Sequence, residues 1–240
     1  TRQIDYLKID GMPINYWISN KVRTIFSIAN KLETLGEARQ GLATGDNDKF
    51  IRIWTEVDYS KIGFYFPSTE SFLESSFKYA PINKGGLFRK WYGNNESVIK
   101  FDQPSFEILS KQGNKLPSKQ FYFKKGMTWT KVSTNTFSVR YCDKGYVFSD
   151  AGMKITMDER NLSYIGSLLN SKIVNKFLAA ISETINYEKG NIARIPIIIE
   201  ERFKGRINSS FEECINLSKD DWDSFETSWD FKVHPLLKLL

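Results

Sequence analysis

Val22, Ile25, Phe26, Ala29, Leu32 and Leu35 recur at three- and four-residue steps, the spacing that puts apolar side chains on one face of a helix. Ser19 is placed to cap that helix and Gly36 to stop it. The pattern breaks at Gly41–Asp48, a glycine-bearing polar loop whose composition excludes a packed element. Alternation follows from Phe50 to Val57. Ile51, Ile53 and Val57 face one side and Arg52, Trp54 and Glu56 the other, as in a half-buried strand. Ser68-Thr69-Glu70 predicts a capped short helix carrying Phe72, Leu73 and Phe77. Ser97–Phe101 and Phe106–Leu109 read as hairpin strands about a turn at Asp102–Ser105.

Between Gln120 and Met157 the chain is all strand and turn. Phe121–Phe123, Met127–Val132, Phe137–Cys142, Tyr146–Phe148 and Ile155–Met157 are rich in aromatic and β-branched residues, with Gly126, Asn135, Gly145 and Gly152 between them. Leu162, Ile165, Leu168 and Leu169 then mark a helix, Asn170-Ser171 a break, and Ile173, Val174, Phe177, Leu178 and Ile181 a second helix. Ile195–Ile199 reads as a buried extended segment. Ser218–Asp221 resembles a capping box opening a helix with Trp222, Phe225 and Trp229, its acidic first turn suiting the helix dipole. These elements predict a mixed α/β fold of the α+β kind: an irregular, mostly antiparallel sheet with helices at both ends. The chain divides into an entry-helix region at 1–40, a body at 41–200 and a C-terminal helical extension at 201–240.

With 240 residues, 41% of them hydrophobic and 15% aromatic, the chain is long and apolar enough for a real core. Its formal net charge of +6 favours polyanionic partners wherever it gathers on one face, although cations also serve simply to solvate a surface. One histidine, His234, and two distant cysteines, Cys142 and Cys214, cannot assemble a Cys/His zinc site; a histidine-dependent triad would need His234 itself, and nothing around it suggests that role. No metal site is therefore expected. So few cysteines and no signal peptide suggest a reducing, cytoplasmic setting, and the short apolar runs predict no membrane span. The chain opens at Thr1, which reads as a fragment of a longer protein.

Three segments combine glycine, cations and flat aromatic rings. The first runs from Gly41 to Trp54 and carries Thr44, Asn47, Lys49, Arg52 and Trp54. The second, Lys84 to Gly93, carries Lys84, Arg89, Lys90, Trp91 and Tyr92. The third, Phe123 to Lys131 with the strand after it, carries Thr128, Trp129, Lys131 and Arg140. Glycine lets a backbone approach a ligand closely, arginine and lysine bind phosphates and guanine edges, and indoles offer stacking faces. These residues are the candidate nucleic-acid contacts; Trp54 and Trp129 serve equally well as core residues, and Lys124 and Lys125 as a solvated turn. No catalytic set accompanies them. There is no Gly-x-x-x-x-Gly-Lys-Ser/Thr loop, no Pro-Asp or Glu-x-Lys pair and no Pro-Pro dipeptide, so no catalytic residue is assigned.

The run GLATGDNDKFIRIW (41–54) resembles the target-recognition region of the PglX family of BREX phage-defence methyltransferases. Asn83-Lys84-Gly85-Gly86 with Phe88–Asn94, Gly126–Trp129, Leu169–Lys172 and Asp220–Phe231 extend the resemblance over nearly the whole chain. TaqI-like specificity regions of fused restriction–modification enzymes form the broader family. The resemblance implies an adenine-N6 DNA methyltransferase that uses S-adenosylmethionine in a catalytic domain upstream, with no cofactor in this fragment. It makes residues 41–200 a target-recognition domain for double-stranded DNA. Its other partners would be the upstream methyltransferase domain and further phage-defence proteins, with no membrane. On that reading Lys49, Lys84, Lys90 and Lys131 neutralise phosphates, Arg52, Arg89 and Arg140 read bases, and Asn47 suits adenine. The three turns are expected to converge on one groove-facing patch. An RNA- or single-strand-binding module, or a partner-docking domain that binds no nucleic acid, would use the same residue types.

Overall fold

Ser19 opens the first helix as its position predicts. In the computed structural model, which describes residues 18–181 and 184–239, α1 spans Asn20–Ile28 and the Val22 amide donates to Ser19 Oγ. Residues 1–17 of the entry region lie outside the described residues. The helix ends earlier than its apolar period suggests. Ala29 is extended, and β1 (Asn30–Lys31) pairs antiparallel with β10 (Pro196–Ile197). Leu32 remains in the core from a single 3-10 turn, and Gly36 begins β2 (Gly36–Arg39) rather than stopping a helix. Leu32 and Leu35 keep the helical spacing because, from the 3-10 turn, they face the same core as α1.

The sheet-rich middle forms two sheets and a ribbon among the described residues, not one central sheet. In the first sheet β2 pairs with β9 (Gly152–Met157), β9 with β6 (Gly126–Thr130) and β6 with β7 (Arg140–Cys142), all antiparallel. The second runs in the order β3 (Ile51–Ile53), β5 (Ser97–Lys100), β4 (Tyr79–Asn83), β8 (Val147–Phe148), with only β4 and β8 parallel. The architecture is the antiparallel-dominated α+β fold that the pattern predicts. Each sheet has its own core. Met127, Trp129 and Ile155 of the first meet Leu162, Ile165 and Leu169 of α5 (Glu159–Leu169) and Val174 and Phe177 of α6 (Lys172–Ile181). Ile82, Ile99 and Phe148 of the second meet Phe72 of α3 (Thr69–Leu73) and Leu109 of α4 (Gln103–Leu109).

Side-chain caps set several boundaries. Ser68 accepts the Ser71 amide at 3.2 Å and starts α3, as read from sequence. Asn170 ends α5, then turns its amide back to donate to Val139 O and accept the Val139 amide, which fixes the helix break against the first sheet. Elsewhere the caps overturn the pattern. Asp102 accepts the Ser105 amide and Pro104 sits in the first turn, where its missing N–H leaves no bond unmade, so Phe106–Leu109 is helix rather than a second hairpin strand. Phe121 lies in a 3-10 turn, not a strand. The alternation after Phe50 stops at Ile53, which is 48% exposed, and Trp54–Glu56 is a 3-10 turn. After the short α7 (Lys189–Ala193), Ser218–Asp221 closes α8 (Glu201–Trp222) instead of opening a helix. That helix is charged along most of its length and buries only Phe211 and Trp222, so it leaves little apolar period to read.

The two sheets are joined backbone to backbone, in addition to the side-chain bond from Cys142 of β7 to Asn83 of β4. Gly41 lies so close to β8 that a β-carbon there would stand 1.9 Å from Phe148 O. Leu42 then donates to Phe148 O and accepts from the Asp150 amide, while the Ser149 amide donates to Asn83 O. The Gly41–Asp48 segment, expected to be an unpacked loop, is thus clamped between the sheets, with Leu42 fully buried.

Gly41→Ala should lower stability by about 1–3 kcal/mol or more through overpacking. Gly205→Ala, in the exposed second turn of α8 with nothing within 4 Å of the added carbon, should raise it by about 1 kcal/mol. Urea midpoints of the two variants check both signs, and a harmless Gly41→Ala would mean the seam is not closed as described.

Candidate nucleic-acid interface

Downstream of the seam the first turn is built around Thr44. This buried hydroxyl accepts the Asp46 amide at 3.2 Å and donates to Asn47 Oδ1 at 2.8 Å. Asn47 itself is exposed. Asp46 caps the four-residue α2 (Asn47–Phe50) by accepting the Lys49 amide at 3.0 Å. Behind the turn Asn114 donates to Gly41 O and accepts the Ala43 amide, and Gln112 donates to Thr44 O. Gln112 and Asn114 were not singled out from sequence, where nothing marks two amides in a polar loop as partners of a distant turn.

A cavity of about 250 Å³ opens at this point, lined by Thr44, Asp46, Asn47, Ile82, Lys84 and Asp150 among others. The seam therefore brings together Thr44 and Asn47 of the first segment and Lys84 of the second. Lys84 makes no ion pair among the described residues. Two carboxylates against one ammonium disfavour a phosphate inside the cavity, whereas donors and acceptors side by side suit the edge of a base. Lys49 stands outside, its ammonium 5.3 Å from the Phe50 ring centre. Arg52 is turned back on its own backbone and donates to the carbonyls of Asp48 and Ile51.

Arg89 to Tyr92 of the second segment are engaged elsewhere in the fold. Arg89 pairs with Asp221 at 2.9 Å and lies 5.0 Å over the Trp222 ring. Lys90 donates to Asn170 O at 2.8 Å, at the break between α5 and α6. The Trp91 backbone extends the edge of β7 by bonding to Val139 and Tyr141, while its ring meets Phe211 of α8 edge-on at 5.8 Å. Lys219 sits 5.2 Å over Tyr92, and burial pushes the Tyr92 hydroxyl up to about 12. Arg89, Lys90, Trp91 and Tyr92 moor the C-terminal helices to the first sheet.

Burial also removes most of the third segment from any ligand. Trp129 is fully buried, donates to Tyr187 O at 2.8 Å and meets Phe137 edge-on, so its role is that of a core residue. The buried Thr128 hydroxyl donates to Met153 O. Arg140 is 2% exposed and reaches Gly85 O at 3.3 Å and Thr130 Oγ1 at 3.4 Å. Burial lowers its guanidinium to about 10, opposed by the nearby Glu96. It cannot reach a base edge from there; it is an internal post under the Gly85 turn. Lys131 is paired with Glu188 at 3.1 Å, and the Trp54 indole donates to Thr227 O. The three turns thus do not form one patch: the first turn and Lys84 gather at the cavity, and the others brace the fold.

Among the described residues no three His, Cys, Asp or Glu side chains gather as a metal site, and no helix is long and apolar enough to cross a membrane. Cys142 is buried, its thiol pushed up by that burial, and it donates to Asn83 Oδ1.

No family model matches the chain. The adenine-specific methyltransferase BrxX of Escherichia coli O9:H4 (strain HS) is 35% identical over 243 residues, covering 99% of this chain and 19% of its own length. The adenine-specific methyltransferase PglX of Lacticaseibacillus casei (strain Zhang) is 34% identical over 246 residues, covering 99% of this chain and 20% of its own. The chain spans about a fifth of the length of the curated relatives it matches. The likeness read from the glycine-bearing motifs therefore extends over almost the entire chain.

If Trp129 belongs to the core, Trp129→Ala costs about 3–5 kcal/mol of stability. Denaturant unfolding without any ligand measures this, and a loss within about 0.5 kcal/mol, the range of a surface substitution, would contradict the burial.

Proposed function

We propose that this chain, related along its length to a fifth of the PglX-type adenine-specific methyltransferases, holds and reads double-stranded DNA. The methyl transfer itself belongs to another part of the longer protein. The observation that carries this reading is the cavity at the seam, which Asn47, Lys84, Asp46 and Asp150 line together. A methyltransferase acting on adenine in a duplex must take the base out of the stack, and something must grip and test the flanking sequence meanwhile. A cavity with both donors and acceptors supports base-edge reading: Asn47 and Lys84 donate to ring nitrogens and carbonyls, and a carboxylate accepts from an amino group. Lys49, outside the cavity, suits a phosphate. The longer protein would supply S-adenosylmethionine, the catalytic groups and any contacts with other phage-defence proteins.

Two substitutions test this reading against duplexes selected from a random-sequence pool. Asn47→Ala and Lys84→Ala should each cost about 1–3 kcal/mol on the preferred site and relax the choice at one position. Lys49→Ala should weaken binding to all sequences and reduce the salt slope by about one unit. Unlabelled single strands should compete less well than duplex. If Asn47→Ala and Lys84→Ala leave affinity and sequence choice as they were, the cavity is not the reader.

A further inference from the structure

Two large apolar side chains stand in water at the tip of the second segment: Leu87 is 85% exposed and Phe88 44%. The backbone beneath them is heavily fixed. Gly85 and Gly86 both take positive φ, at 88° and 103°. The Asn94 amide donates to Gly85 O at 3.1 Å and to Leu87 O at 2.8 Å, and Thr130 Oγ1 donates to Gly86 O at 3.0 Å. From below, the buried Arg140 guanidinium donates to Gly85 O. A turn bound this firmly does not expose its apolar tip through looseness. Holding leucine and phenylalanine out on a rigid support opposes the hydrophobic effect unless something covers them.

We propose, building on the DNA-reading function above, that Leu87 and Phe88 form a wedge that enters the duplex and opens a base step beside the bases read in the cavity. Charge and area favour this occupant. From Lys84 to Asn95 the chain holds no acidic residue, and while Arg89 and Lys90 are taken up by Asp221 and Asn170 O, Lys84 beside the tip makes no ion pair among the described residues and suits a polyanion. Two side chains cover on the order of 300 Å². A stable protein interface needs roughly 1,200–2,000 Å², whereas unstacking a base step takes only one or two inserted apolar side chains. The tip follows directly on Lys84, which lines the cavity, so insertion and reading fall on one continuous stretch of chain. The wedge adds no phosphate contact. Its effect lies in the disruption of stacking.

A duplex containing one mismatched pair is already weakened where the wedge must enter. The 240-residue protein should therefore bind a mismatched duplex about tenfold more tightly than the same duplex fully paired. The variant carrying Leu87→Ala and Phe88→Ala should bind both alike, with the salt slope of the unsubstituted protein. Both positions are exposed, so folding is checked by an unchanged melting temperature. Equal binding of the two duplexes by the unsubstituted protein, or a preference that survives in the double variant, overturns the wedge while leaving duplex reading intact. Absence of any salt-dependent duplex binding overturns the reading function and the wedge with it. Retained duplex binding and mismatch preference, with loss of a protein partner instead, would assign the tip to a protein contact and equally overturn the wedge.

Discussion

At Gly41 the chain passes so close to the end of β8 that a β-carbon would fall 1.9 Å from Phe148 O. Two further backbone contacts follow within a few residues, Asp150 to Leu42 and Ser149 to Asn83. Through them, segments from three parts of the chain meet with no side chain between them. The cavity depends on this seam because its walls are those same segments: Thr44 to Asn47, Ile82 to Lys84 and Ser149 to Ala151. A joint made through side chains would hold the sheets farther apart and let the walls shift. A joint made of peptide groups sets their spacing by bond lengths and hydrogen bonds.

A second consequence concerns where the positive charge goes. Arg140, Arg89 and Lys90 fit a basic-aromatic signature for nucleic acid, yet each is engaged internally, with Gly85 O, Asp221 and Asn170 O respectively. A long cationic side chain has an apolar stem that packs and a head with several donors, so it can join elements as readily as it can face a polyanion. Arg140 is the extreme case: its charge is buried with imperfect partners, and Nε finds none. The cost is tolerable because the carbonyl it reaches belongs to the turn that carries the exposed tip. Basic residues enclosed in the fold can thus still support residues that remain exposed.

How far the residues alone could be read depended on whether a signal was local. Ser19, Ser68 and the Asn170-Ser171 break acted as read, because a cap bonds an amide two or three residues away. The α5 and α6 faces were legible because their apolar period is complete within the helix. The missed elements had competing or absent signals. Asp102 with Pro104 marks a helix start that the apolar run after it hides, and α8 has too few buried positions to show a period.

At the site, the sequence determined the residue types: amide, hydroxyl and cation on glycine-bearing turns. It also determined the relationship to adenine-specific methyltransferases, since that likeness lies in the order of residues. Only the tertiary structure decided which of those residues share a wall and which lie inside. Thr44 and Lys84 meet because a backbone seam brings their strands together, and Trp129 is enclosed because α5 and α6 fold over β6. Burial is a property of distant segments, and neither an indole nor a guanidinium carries in its own neighbourhood the information about what will cover it.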